Sequence, residues 1–210
     1  MRDASGTMGD TSTVQLPINA NGKAAEIYRT AASLIVAKGF NATSMNEIAT
    51  AVGLTKAGLY HYIRGKQDLL FSIMQYAMDM VDSQVLEPAS QIADAEQRLR
   101  FILIRHAGMT DHVKAITILA EEVAALNEQD RQSIVNRKRR YIDCVRSTLQ
   151  ELSDEGKLRD LDVSVATLNL FAMVLGLARW YRPNGKLSAM AVAEQTASLL
   201  LGGLLKSVSD

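Results

Sequence analysis

A chain of 210 residues has room for one or two domains, and at 48% hydrophobic residues it can bury a sizeable core. A single cysteine, Cys144, excludes an intrachain disulfide and a cysteine-based zinc site and fits a reducing compartment. Bases and acids cancel at 23 each, but unevenly: six bases and two acids between Gly22 and Lys66 make that region plus four and leave minus four elsewhere, so only one end suits a polyanion.

Three prolines, no run of alternating β-branched residues, and an abundance of Ala, Leu, Glu, Gln, Arg and Met predict an all-α protein. Residues 1–21 are rich in Gly, Ser, Thr, Asp and Asn without a helical period, and read as a loosely packed arm that lacks the apolar core of a signal peptide. From about Gly22 to Lys38, Ala24, Ile27, Tyr28, Ala31, Leu34 and Ile35 recur at helical spacing, and Gly39 closes the helix. Thr43 or Ser44 then caps a second helix, with Glu47 completing a capping-box pattern and Met45, Ile48, Ala49 and Val52 as its buried face. Gly53 allows a sharp turn and Leu54 plugs it. Thr55 caps a third helix, Lys56–Ile63, with Leu59, Tyr62 and Ile63 inward and Lys56, Ala57, Tyr60 and His61 outward. Gly65 breaks it, and a fourth helix runs from Lys66 to about Val85, ended by Glu87-Pro88.

This is the layout of a helix-turn-helix, in which a short helix enters the major groove with its N-terminal residues at the base edges. Ala57 and Gly58 let the backbone come close. Thr55, Tyr60 and His61 offer hydrogen bonds to phosphates, with Thr43 a further candidate, and Lys56 reaches a guanine edge or a phosphate. Lys66, at a helix N-terminus, combines positive charge with a favourable dipole end. The competing reading is a plain helical hairpin with solvated Lys and His.

Gly39-Phe40, the T-S-x-x-x-I-A cap and second helix, the G-L-T-K-A-G-L-Y-H-Y segment and the G-K-x-x-L-L opening of the fourth helix together resemble the N-terminal domain of TetR-family (TetR/AcrR) transcriptional regulators. Tyr62 stands where phenylalanine is common. The resemblance implies a homodimer, nine or ten helices per subunit, a palindromic operator, and repression relieved by a small ligand. It divides the chain into an arm (1–21), a DNA-binding domain (22–67) and a ligand-binding and dimerisation domain (68–210).

Further helices are predicted over Ala93–Gly108, Val113–Leu126 and, after a turn at Asn127–Gln129, Asp130–Leu152. Val163–Tyr181 is apolar nearly all round, and Ser188–Ser207 is rich in Ala and Leu; paired across a two-fold axis they make a four-helix interface. Val163–Ala178, interrupted by Ser164, Thr167 and Asn169, reads as a buried helix rather than a membrane span, and the chain as a soluble cytoplasmic protein.

No catalytic set, cofactor motif or metal-ligand set is expected: HExxH, P-loop and nucleophile-elbow patterns do not occur. Cys144 reads as a small buried hydrophobe, with a redox-sensing thiol as the alternative. The run Arg137–Arg140 reads as a solvated face or a phosphate contact. Arg179-Trp180-Tyr181-Arg182-Pro183-x-Gly185 is similar to the segment closing the equivalent helix in TetR-family members that sense acyl-CoA thioesters; a multidrug-efflux regulator is the alternative. Phe101, Met109, Leu119, Phe171, Met173, Arg179 and Trp180 are the candidate ligand residues.

Overall fold

The computed structural model describes residues 22–109 and 123–206. The expected arm, most of the expected helix Val113–Leu126, and Leu119 with it lie outside these residues. Within them the protein is all-helical, with one isolated antiparallel bridge between Leu158 and Leu205.

α1 (Lys23–Lys38) buries Ala25, Ile27, Tyr28, Ala31, Ala32 and Ile35 along one stripe. Gly39 closes it at φ +90°, a conformation that disfavours a Cβ, and donates its N–H to Ile35 O at 2.7 Å. α2 (Met45–Ala51) is capped by Ser44, whose Oγ accepts from the Glu47 N–H at 3.1 Å. Gly53, at φ +68°, turns the chain into α3 (Lys56–Tyr60), capped in the same way by Thr55.

α4 (Lys66–Val81) packs on α1 and buries Leu69, Leu70, Ile73, Met74 and Met80. It does not stop at Glu87-Pro88. The helix widens into a π-helical turn over Asp82–Leu86, in which the Glu87 N–H reaches Asp82 O, and continues through Glu87–Ala89. Pro88 has no N–H for Gln84 O; Arg105 Nε donates to that carbonyl instead, at 3.5 Å.

α5 (Ala95–Gly108) starts at an Asp94 cap. Arg98 fastens it to the next helix through Thr148 Oγ1 (3.0 Å) and Glu151. A 3₁₀ turn, Val123–Ala125, precedes α6 (Glu128–Asp154). Asn127, expected within a turn, is the N-cap of α6, with its Oδ1 accepting from the Asp130 N–H at 2.9 Å. α7 (Val163–Trp180) and α8 (Ala189–Leu204) are capped by Asp162 and Ser188. The most extensive helix pair is α5 with α8, and α6 lies against α4, α5 and α7. One core runs continuously from α1 to α8, with α4 as the element common to both ends.

α7 is long and apolar enough to cross a membrane by length and composition. Ala166, Thr167, Leu170, Phe171, Val174, Leu177 and Ala178 face the core. Its other side is open: Val165 is 56%, Leu168 60% and Trp180 58% exposed. Met173, Gly176 and Trp180 line an open groove with Leu187, Gln195 and Leu199 of the α8 side. Two helices thus share an uncovered apolar face, of the kind a second subunit covers.

Candidate operator-binding and effector sites

The α2–α3 corner is held from within by Ile48, Ala49, Val52, Leu59 and Ile63, all at most 3% exposed. With those side chains inside, Thr55, Lys56, Ala57, Tyr60 and His61 are left on the surface together. The Thr55 hydroxyl accepts from the Gly58 N–H at 3.0 Å, which leaves its hydrogen free to donate to a phosphate. A Cβ at Gly58 would lie 3.3 Å from Thr55 Oγ1, a tight contact that the glycine avoids.

Two placements differ from expectation, and a third is more constrained than expected. Thr43 is 1% exposed; its Oγ1 donates to Gly39 O at 2.9 Å, so it locks the α1–α2 turn and does not face DNA. Tyr62 is 37% exposed, because α3 stops at Tyr60 and the following turn breaks the helical phase that would have pointed it inward. It stands outside with Tyr60 (43% exposed) and His61, and the aromatic cluster Tyr60-His61-Tyr62 was its only sequence signal. Lys66 is half-buried and already engaged: its Nζ donates to Asn41 O at 3.2 Å and lies 4.5 Å from the Phe40 ring centroid. Its charge is therefore fixed at the α4 N-terminus rather than swinging on a loose side chain. Gly53→Ala, strained by its left-handed φ, is expected to cost about 1 kcal/mol, read as a lowered melting temperature together with weaker DNA retention.

The candidate ligand residues divide. Phe171 (9% exposed) and Met109 (7%) are interior, and Phe101 is half-buried with the Arg105 guanidinium 6.0 Å from its centroid. Met173, Arg179 and Trp180 are exposed; Met173 and Trp180 line the outer groove, on the side of α7 away from the buried Phe171. The all-round apolar sequence of α7 hid which side was which.

A polar pair that sequence reading did not connect sits beside Phe171. His106 Nδ1 on α5 is 2.7 Å from Tyr141 Oη on α6, and the Tyr141 ring meets Phe171 of α7 edge-on at 4.9 Å. Burial lowers the His106 imidazole to about 4 and pushes the Tyr141 phenol up. The unfolded chain, with its imidazole near 6.5, binds the extra proton first. Stability is therefore expected to fall by roughly 3 kcal/mol as pH drops from about 6.5 to 4, and His106→Phe should flatten that part of the pH–stability profile.

The basic run is neither a free face nor an open phosphate site at its first residue. Arg137 of α6 grips Asp79 of α4 and Asp82 of the π-helical turn, both at 2.6 Å, and Arg140 reaches Asp82 at 3.0 Å. Cys144 is half-buried, and burial pushes its thiol up, away from the thiolate a redox sensor needs.

A capped helix-turn-helix, joined through one helix to an all-helical domain with an uncovered apolar face, is the layout of a DNA-binding regulator. Residues 27–73 match the model for bacterial regulatory proteins of the tetR family, and residues 93–204 match the tetracyclin repressor-like C-terminal domain. The chain belongs to the TetR family. It is similar to AibR in a crystal structure with isovaleryl coenzyme A and operator DNA, at 36% identity over 86% of this chain and 97% of that one, with a TM-score of 0.75. It is 26% identical over 193 residues to the HTH-type transcriptional repressor KstR2 of Mycobacterium tuberculosis (strain ATCC 25618 / H37Rv), covering 89% of this chain and 94% of the relative. It is 24% identical over 183 residues to the fatty acid metabolism regulator protein of Bacillus subtilis (strain 168), covering 85% and 94%.

Proposed function

We propose that this protein is a dimeric, cytoplasmic transcriptional repressor, not an enzyme, that holds an operator in its free state and is released by a coenzyme A thioester bound in the α4–α8 domain. The observation that carries this reading is the pairing of an exposed Thr55–Tyr62 recognition surface with 36% identity, over nearly the whole of both chains, to a regulator seen with isovaleryl coenzyme A and operator DNA. Relatives named for repression and for fatty acid metabolism point the same way.

Thr55, Lys56, Tyr60 and His61 contact the operator, with Ala57 and Gly58 allowing close approach and Lys66 supplying fixed positive charge to a phosphate. Two copies present their α3 helices about one DNA turn apart, roughly 34 Å. An effector that binds better to a differently spaced dimer draws the population away from that geometry, by no more than its difference in affinity for the two states.

A gel shift at moderate salt with the DNA upstream of the protein's own gene should give a submicromolar midpoint, and one member of a series of acyl-CoAs from isovaleryl to palmitoyl should release the complex. No retained fragment removes the operator reading; retention without release by any thioester removes the effector class. Tyr60→Ala should weaken operator binding by about 1 to 1.5 kcal/mol, near tenfold, while the protein still elutes as a dimer.

A further inference from the structure

The His106–Tyr141 pair is costly to bury and does nothing for the helix-turn-helix. An apolar pair of similar size would fill this part of the core without a desolvation penalty. His106 is nevertheless placed between Leu103 (1% exposed) and Ala107 (2%) on α5, and keeps accessible surface of its own where those neighbours have almost none.

The hydrogens of the pair decide what it can bind. A neutral imidazole carries one N–H and a phenol one O–H, and a single hydrogen lies between Nδ1 and Oη. If Tyr141 donates to Nδ1, the imidazole N–H on Nε2 is left over. If Nδ1–H donates to Oη, the phenol hydrogen is left over. Either tautomer leaves one donor hydrogen that the pair itself does not use, in the layer where α5, α6 and α7 meet and the Tyr141 and Phe171 rings lie 4.9 Å apart.

We propose that His106 and Tyr141 form the polar anchor of the effector site, donating one hydrogen bond to an uncharged carbonyl oxygen, such as that of a thioester, and rejecting the corresponding free carboxylate. This rests on the reading of the α4–α8 domain as the effector domain. The rejection follows because a carboxylate seated here loses its hydration with no charge to offset it. The imidazole does not readily supply one, since burial holds it neutral well below pH 7.

The test is calorimetry on the full-length protein with the acyl-CoA series above, the matching free acids and coenzyme A alone, using wild type, His106→Phe, His106→Gln, Tyr141→Phe and the His106→Phe/Tyr141→Phe double variant. Melting temperature and operator binding without effector are measured alongside. The thioester that binds wild type best should bind the two phenylalanine variants ten- to hundredfold more weakly and His106→Gln, which keeps a donor, within a few-fold. Its free acid should bind wild type at least tenfold more weakly. The double variant should melt no lower than wild type and still hold the operator, which separates anchoring from mere packing. Equal thioester binding by wild type and the folded variants overturns the anchor and leaves the effector class standing, as does a free acid that binds as well as its thioester. Failure of every thioester to bind wild type overturns the effector class and the anchor together.

Discussion

Leu199→Glu is expected to give a folded monomer that no longer retains operator DNA. Leu199 is 67% exposed on α8 and shares its groove with Met173, Gly176 and Trp180 of α7, so the substitution removes little from the subunit's own core and should change its stability by no more than about 0.5 kcal/mol. With this uncovered face as the proposed dimer interface, the same position meets the partner's equivalent surface, and two carboxylates would be buried close to one another without a cation. The recognition helix is five residues long and offers few side chains, so operator affinity depends on two copies acting together. Losing the tether between them should weaken binding by at least about a hundredfold. Light scattering coupled to size exclusion, followed by a gel shift, reads both effects. A variant that stays dimeric and binds normally would place the interface on another face.

The second large effect is expected at Arg137→Met. Arg137 is the cation between Asp79 of α4 and Asp82 of the π-helical turn that continues it, one helical turn apart, and also donates to Gln75 O at 3.4 Å. The methionine keeps the stem packed but leaves two carboxylates facing each other, with Arg140 still beside Asp82. The site is partly exposed, so a loss of about 2 kcal/mol is expected rather than the 3 to 5 of a fully buried pair. Arg137→Lys should recover less than half, because a single ammonium does not span both acids as a guanidinium fork does. The grip lies where α6, which carries Tyr141, meets α4, which carries Lys66, next to the π-helical turn at Asp82–Leu86. Arg137→Met should therefore raise the effector concentration needed for release by more than it changes operator affinity without effector. Wild-type melting together with a wild-type release midpoint would show that this contact neither stabilises nor couples.

The recognition surface was largely legible beforehand because its signals are local. Ser44 and Thr55 as caps, Gly53 at the turn, and the inward set Ile48, Leu59 and Ile63 are each decided within four or five residues by hydrogen-bond geometry and helical period. The same local reasoning failed at Tyr62, where α3 ends too soon for the period to extend, and at Thr43, where Ser44 takes the capping role and Thr43 turns inward to Gly39.

The amino-acid sequence by itself determined the all-α class, the course of α1, α2 and the start of α3, α4 up to the π-helical turn, and the presence of two apolar helices near the end. All of these follow from residue preference and short-range periodicity. Tertiary structure alone decided which face of α7 is core and which is open, since a helix apolar on every side carries no phase for the eye to read. It also decided that Arg137 serves α4, 55 residues from Asp82, and that His106 meets Tyr141, 35 residues away. Contacts of that span are fixed by how helices cross in three dimensions, and no local pattern of residue types records them.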